Sequence, residues 1–358
     1  MLLIGFIDGG KAAFDPLILL LLALLLDAYL GDTPWLFKRA KHPVALLGAA
    51  IDWLDRKLNR DKRPEMDRAV RGAVAVLAVV ALTGGLGLGV AWLSFVHPWG
   101  WIVELFCIVL LIAQRGLYDH VRAVRRGVDD NLEAGREAVS HIVGRDPQQL
   151  DHYGVARAAI ESAAENFCDG VVAPVFFYVL FGAPGLFIYK AVNTMDSMIG
   201  HRTPKYRAFG MTAARLDDVL NLIPARLSGL FICLGAPFAP GGQPWQAVKV
   251  MLRDAGKHRS LNAGWPEGAM AGAPPLCPGC RPRPLDRPRH GPGHGRRHRP
   301  RPLSLRRRLF DQRGLGRRPC RGALFPTRDR LTAAQQTVAA LPGCGQNARN
   351  IPPDRFPG

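Results

Sequence analysis

Three carboxylates stand at helical spacing in the segment "ESAAENFCDG": Glu161, Glu165 and Asp169. On a helix, residues four and eight apart share one stripe. Asn166 lies beside it, and like charges so placed repel each other. A cation set against them offsets that repulsion. The candidates are a divalent ion or arginines from elsewhere in the chain. Mg2+ suits such a site, because it takes one or two carboxylates together with phosphate oxygens and waters. The acids run directly into "VVAPVFFYVLFG". At membrane depth, ionisable groups are costly and are read as functional by default. A solvated helix face is the competing reading.

Four further polar clusters border apolar runs. "NTMDSMIGHRTPKYRAFG" (193–210) opens with Asn193, Thr194, Asp196 and Ser197, turns at Gly200 and Pro204, and supplies Lys205 and Arg207. A membrane-edge cap with basic anchors is its bland reading. "AARLDDVLNLIPARLSG" (213–229) groups Arg215, Asp217, Asp218 and Asn221, with Arg226 following as a snorkelling cation. "DTPWLFKRAKHPVALLG" (32–48) carries His42, and a lone histidine is more often structural than catalytic. "RDAGKHRSLNAGWPEGAMAG" (253–272) carries His258, Ser260, Asn262 and Glu267. Phosphate-binding glycine loops, zinc-protease helices and nucleophile elbows are absent from the sequence. The five clusters together point to one convergent site at a membrane face.

The elements that must position these residues are apolar helices. Residues 17–30 form an apolar run broken by Asp27, near the lower limit for spanning. Residues 72–97 carry no charge and are long enough to cross; after "HPWG", residues 101–114 return. Trp92, Trp99 and Trp101 stand where interfacial aromatics belong. The basic loop between the first span and this hairpin (Lys38, Arg39, Lys41, Arg56, Lys57, Arg60, Lys62, Arg63) is cytoplasmic by the positive-inside rule. The N-terminus is then outside, and residues 115–165 form a cytoplasmic helical region rather than a span. Residues 171–192 are broken by "GAPG", which leaves two pieces each too short to cross: a kinked span or a re-entrant hairpin. Residues 219–240 are apolar but hold Arg226. The expectation is an all-α polytopic membrane protein with about three to five membrane segments. Residues 1–272 form its helical membrane domain.

The formal net charge of +18 belongs almost wholly to the last quarter of the chain. Residues 273–358 hold 19 Arg against 4 Asp, with no Lys or Glu, and 15 of the 29 prolines. They show no apolar period and too little apolar surface to offset ordering entropy, so disorder is expected. Arg, Pro, Gly and Ala are residues of GC-rich codons, and a frameshift near Ala273 accounts for this composition. A genuine basic tail for nucleic acid or anionic lipid is the alternative. Cys277 and Cys280, followed by His290, His294 and His298, have zinc-like spacing but no hydrophobic residues to build a finger around a metal. Cys107, Cys168 and Cys233 read as small buried hydrophobes.

The clusters, in their order, resemble the adenosylcobinamide-phosphate synthase family, the CobD/CbiB membrane proteins of cobalamin biosynthesis. The resemblance rests on "LLLDAYLGDTPWLFKRAKHPVALLG", "HIVGRDPQQLD", "ESAAENFCDGVVAPVFFYVLFGAPG", "YKAVNTMDSMIGHRTPKYRAFG", "AARLDDVLNLIPARLSG" and "HRSLNAGWPEGAMAGA". It covers about residues 15–273 and stops at Ala273, where the family continues with a glycine-rich stretch and a closing apolar segment. An out-of-frame tail would leave this chain without that end, and inactive if the end is needed.

The resemblance implies ATP-dependent amide ligation of aminopropanol, or its phosphate, to a carboxylate of adenosylcobyric acid, with ATP and Mg2+ as cofactors. It implies that Glu161, Glu165, Asp169 and Asn166 bind Mg2+–ATP or orient the amine, with the three acids as metal ligands. Asn193 and Asp196 would complete that shell. Lys205, Arg207 and Arg215 would take phosphate or corrinoid groups. Asp217 and Asp218 would orient Arg215 or hold a second ion, Asn262 would contact substrate, and His42 would transfer a proton. The expected partners are the corrinoid, the amine, membrane lipid and other cobalamin biosynthesis enzymes, with no nucleic acid. The expected location is the inner membrane, with the site on the cytoplasmic face, which favours a re-entrant 171–192. A transporter or channel subunit is the first rival, marked by solute movement without a covalent product. A nucleic-acid-binding protein is the second, marked by salt-dependent binding lost on deleting the tail.

Overall fold

The computed structural model describes residues 14–31, 42–60, 62–143 and 147–273. The Arg/Pro-rich tail from 274 onward, with its Cys277, Cys280 and histidine motif, lies outside the described residues, as do Lys38, Arg39 and Lys41. Every described element is helical: α1 (Pro16–Leu30), α2 (Pro43–Leu58), α3 (Glu65–Val96), α4 (Gly100–Leu111), α5 (Gln114–Asp130), α6 (Leu132–Ser140), α7 (His152–Phe167), α8 (Ala173–Ile199), α9 (Met211–Leu220), α10 (Leu222–Gly235), α11 (Pro244–Asp254) and α12 (Gly264–Gly272). A π-helical turn, Cys168–Val172, joins α7 to α8.

Local chemistry sets several boundaries. Asp15 caps α1 by accepting from Leu17 N (2.8 Å) and Ile18 N (3.3 Å), with Pro16 at the first position, where its missing N–H costs nothing. Asp151 caps α7 by accepting from Gly154 N at 2.7 Å. His42 caps α2: its Nδ1 accepts from Val44 N at 3.2 Å, ahead of Pro43.

Three helical runs are long and apolar enough to cross a membrane: Glu65–Val96, Gly100–Asp130 and His152–Ile199. Counting the bent pair α9–α10 as one span makes four, and α1 is a shorter apolar helix. The protein is therefore an all-α membrane protein. α3 shows lipid-facing residues such as Val74, Leu77, Leu82 and Leu86 on one side and buries Gly72, Val76, Val79 and Gly87 on the other. Trp92 and Trp99 are exposed near the turn between α3 and α4, as interfacial anchors are. Of the region expected to be cytoplasmic, α5 is amphipathic and buries Val121, Val124 and Val128; the last two pack with Val139 and Val155 of the helices that follow.

The third run does not cross. Gly182 sits at φ 67°, ψ −155°, a conformation that only glycine adopts readily. The chain folds back there: Asn193 Nδ2 donates to Asp169 Oδ2 at 3.0 Å, whereas a continuous helix would hold these residues about 36 Å apart. Phe177 and Tyr189, on opposite limbs, stack with ring centroids 5.1 Å apart. From Asp169 to Gly182 the limb rises about 20 Å, short of a hydrocarbon core of about 30 Å. Residues 171–192 are thus a re-entrant hairpin with both ends on one side.

Its second limb lies along α3 and shares a core of Val76, Val79, Val192, Met195 and Ile199 with Ile51 and Phe209. The approach is close at Gly87, where a Cβ would meet Pro184 Cα at 2.6 Å, and at Gly72, where it would meet Phe209 O at 1.9 Å. The first limb packs on α1 and α4 through Leu19, Leu20, Ile108 and Tyr178. Tyr178 donates to the buried Glu104 at 2.8 Å, which satisfies an acid inside α4.

Candidate functional site

At the open base of the hairpin, a cavity of about 90 Å³ gathers residues from five parts of the chain. Glu165 comes from the end of α7 and Asp169 from the π-helical turn. Asp196 comes from the second hairpin limb. Asp217, Asp218 and Asn221 come from α9 and its end, and Ser260 and Asn262 from the turn before α12. The acids are close enough to interact: Glu165 with Asp196 and Glu161, Asp196 with Asp218, and Asp217 with both Asp169 and Asp196. Lys190 lies near Asp169, and His201 near Asp196.

Hydrogen bonds fix several of these groups. The fully buried Tyr189 donates its hydroxyl to Asn221 Oδ1 at 3.0 Å, and Asn221 Nδ2 donates to Asp217 Oδ2 at 3.0 Å. Asn262 Nδ2 donates to the Asp218 carbonyl at 2.7 Å. Ser260 Oγ accepts from Asn262 N (3.3 Å) and Ala263 N (3.2 Å), and Ser260 N donates to His258 Nδ1 at 3.0 Å, so the turn is held by its own polar atoms. Among the described residues, two buried side-chain oxygens, Asp217 Oδ1 and Asn262 Oδ1, make no hydrogen bond.

Glu165, Asp169, Asp196, Asp217, Asp218 and Asn262 therefore converge as the sequence led one to expect, and Asn193 joins them through Asp169. The others do not. Glu161 borders Glu165 but does not line the cavity. The expected i, i+4, i+8 stripe assumes an unbroken α-helix; a π turn begins at Cys168, and Glu165 and Asp169 still share the cavity whereas Glu161, a turn earlier, does not. Among the described residues, no three His, Cys, Asp or Glu side chains converge closely enough to hold a metal ion by themselves. The three-acid ligand set is thus not preformed.

Asn166 donates back to Ser162 O at 2.8 Å, along its own helix. Arg215 is on the exposed side of α9, and Asp217, two residues on, faces the cavity. His42 is the helix cap already described.

Lys205 and Arg207 belong to a different cluster. Lys205 Nζ contacts the buried Asp55 Oδ2 at 2.6 Å and donates to Tyr206 OH at 2.8 Å. Asp55 and the phenol hold the ammonium above its ordinary range. Arg207 pairs with Glu65 at 2.5 Å. Asn59 donates to Asp55 Oδ1 at 2.8 Å and accepts from Arg68 Nε at 2.7 Å, and Arg68 also donates to the Lys205 carbonyl. This network pins the 200–210 segment to α2 and α3.

Sequence reasoning placed Asn221 and Ser260 in polar clusters without giving them a role. It did not single out Tyr189, a tyrosine inside an apolar run. Arg226, read as a snorkelling cation, instead lies over the Trp265 ring at 4.9 Å.

A model of the family described as CobD/Cbib protein matches residues 20–276. A protein named Cobalamin biosynthesis protein CobD from Rhizobium meliloti is 50% identical over 260 residues, which is 72% of this chain and 80% of that protein. Its namesake from Brucella suis biovar 1 gives the same figures. The namesake from Rhodobacter capsulatus is 48% identical over 260 residues, 71% of this chain and 79% of its own length. No solved structure matches the chain significantly.

Proposed function

The chain belongs to the CobD/CbiB family of cobalamin biosynthesis, and on that premise we propose that it is an ATP-dependent carbon–nitrogen ligase joining aminopropanol, or its phosphate, to a carboxylate of adenosylcobyric acid. The single observation that carries this reading is the convergence of five carboxylates, Glu165, Asp169, Asp196, Asp217 and Asp218, on one small cavity at the base of a re-entrant hairpin.

A free carboxylate is a poor acyl donor. ATP, with Mg2+, supplies the phosphoryl group that makes its oxygen a leaving group. The residues present fit that cation, since the donors are acidic and amide oxygens and two of them lack partners. Asp217 and Asn262 would hold it, with Glu165 and Asp169 adding negative charge around it. Asp196 and Asp218 would accept hydrogen bonds from an amine and take its proton as the amide forms. Asn193 holds Asp169 in position. A cavity of about 90 Å³ is small beside ordinary ligand pockets of about 300–1,000 Å³. It suits an ion and the head of a small amine, so the nucleotide base and the corrinoid would lie outside it, along the membrane face. We place this face in the cytoplasm, where ATP is available, and the protein in the inner membrane.

The test is a ligation assay on the purified full-length chain in detergent. It contains adenosylcobyric acid, ATP, Mg2+ and either amine, and is followed by mass spectrometry and ADP release. The expected result is an amide formed only with ATP and lost in Glu165→Ala. Amide formation that survives Glu165→Ala would remove the site assignment. Solute uptake into proteoliposomes without any covalent product would replace the ligase with a transporter. A companion protein, carrying the closing segment of the Rhizobium meliloti relative beyond residue 273, separates a missing end from a wrong reaction.

A further inference from the structure

We infer that the primary cation ligands of this pocket are Asp217 Oδ1 and Asn262 Oδ1, and that Tyr189 and Asn221 position the first of them. The inference rests on the ligase reading only for the use to which the ion is put.

Both atoms are buried, on residues 9% and 7% exposed, and neither has a partner. Buried polar atoms are otherwise nearly always satisfied. Each atom is also held in a defined orientation. Tyr189 donates to Asn221 Oδ1, so the other end of that amide is the donor, and it takes Asp217 Oδ2. Only Oδ1 of Asp217 is left over. The Asn262 amide nitrogen is spent on the Asp218 carbonyl, so its oxygen is the atom left without a partner. The Asn193 amide also lies close to Asp217 but is given to Asp169, so two acceptors in one cavity are left for something positive.

A water molecule would satisfy both oxygens and do nothing for the charge. Glu165, Asp169, Asp196, Asp217 and Asp218 line the cavity, against Lys190 and His201 nearby. An oxygen-preferring divalent cation of the Mg2+ class answers both needs. It keeps several waters and takes few protein ligands, in keeping with the absence of a three-ligand cluster among the described residues. The ion would join α9 to the turn before α12, elements 45 residues apart in the chain.

The experiment is Mn2+ titration of the purified full-length protein, read by loss of the free-ion paramagnetic resonance signal, with Mg2+ as competitor. Wild type is expected to show one saturable, Mg2+-competed site. Asp217→Asn and Asn262→Ala should each weaken it at least about tenfold, and Tyr189→Phe, which keeps the ring and removes the orienting hydroxyl, by about tenfold. Asn262→Asp keeps the ligating oxygen but loses the donor to the Asp218 carbonyl, so it should weaken the site less than Asn262→Ala does. Wild-type affinity in Asn262→Ala, absence of Mn2+ binding by wild type, or stoichiometric displacement of Mn2+ by 1-aminopropan-2-ol would each overturn the inference. Mn2+ binding in the expected pattern without amide formation would uphold the site and overturn the ligase instead.

Discussion

Asp217 and Asp254 are both buried acids, yet their surroundings differ in kind. Asp217 faces other carboxylates and keeps one oxygen unpartnered. Asp254, at the end of α11, contacts Arg253 at 2.5 Å and Lys257 at 3.0 Å. The Arg253 guanidinium, then Lys257, holds the Asp254 carboxyl below its ordinary range. A lowered folded-state value stabilises the fold above the ordinary carboxylate range, and that contribution is lost as pH falls through the lowered value. Asp254→Asn should therefore lower the thermal midpoint at neutral pH, with the gap to wild type closing as pH falls through and below the ordinary carboxylate range; a gap independent of pH would refute this. Most of the acids that converge were legible in the sequence from their place beside apolar runs, although Glu161, expected with them, does not line the cavity. The part played by Tyr189 was not legible: nothing marks one tyrosine in "GLFIYKAV" as polar-facing, and its partner lies 32 residues on. Lys205 and Arg207 misled for the converse reason. Their charge suits phosphate, but Asp55 and Glu65, far back in the chain, claim it.

At the scale of elements, the hairpin does most to build the site. The sequence showed the break at "GAPG" and left a kinked span and a re-entrant hairpin both open. The contact that distinguishes them, Asp169 with Asn193, is a pairing across the break, and no periodicity reports it. The π turn was likewise hidden, since its residues, "CDGVV", read as ordinary helix. Gly182 is the hinge. Any side chain there meets a backbone conformation costing of order 1–3 kcal/mol. Gly182→Ala is expected to lower the thermal midpoint in detergent and to reduce cross-linking of a cysteine pair at 169 and 193 by a short bifunctional reagent. Unchanged midpoint and cross-linking yield would show that the turn is made elsewhere.

For the whole molecule, the hairpin and the α3–α4 turn imply opposite faces. Arg202, beyond the second limb, is exposed on the side of the cavity, and Trp99 is exposed between α3 and α4. In a background lacking the 7 natural cysteines, an impermeant maleimide applied to intact cells should label Trp99→Cys and spare Arg202→Cys. The reverse pattern would put the acidic cavity outside the cell. The all-α membrane architecture was readable from apolar run lengths. The packing order was not, because α3 meets α8 and the segment before α9 through glycines whose role appears only when Pro184 and Phe209 lie against them.

The bond between Asp169 and Asn193 also closes a ring of chain whose residue count is fixed. One residue inserted into either limb would turn everything past it by about 100° and swing the carboxylate or the amide away from its mate. Length variation among natural variants of this hairpin should therefore gather at the glycine–proline bend, with the limbs invariant in number whatever their composition.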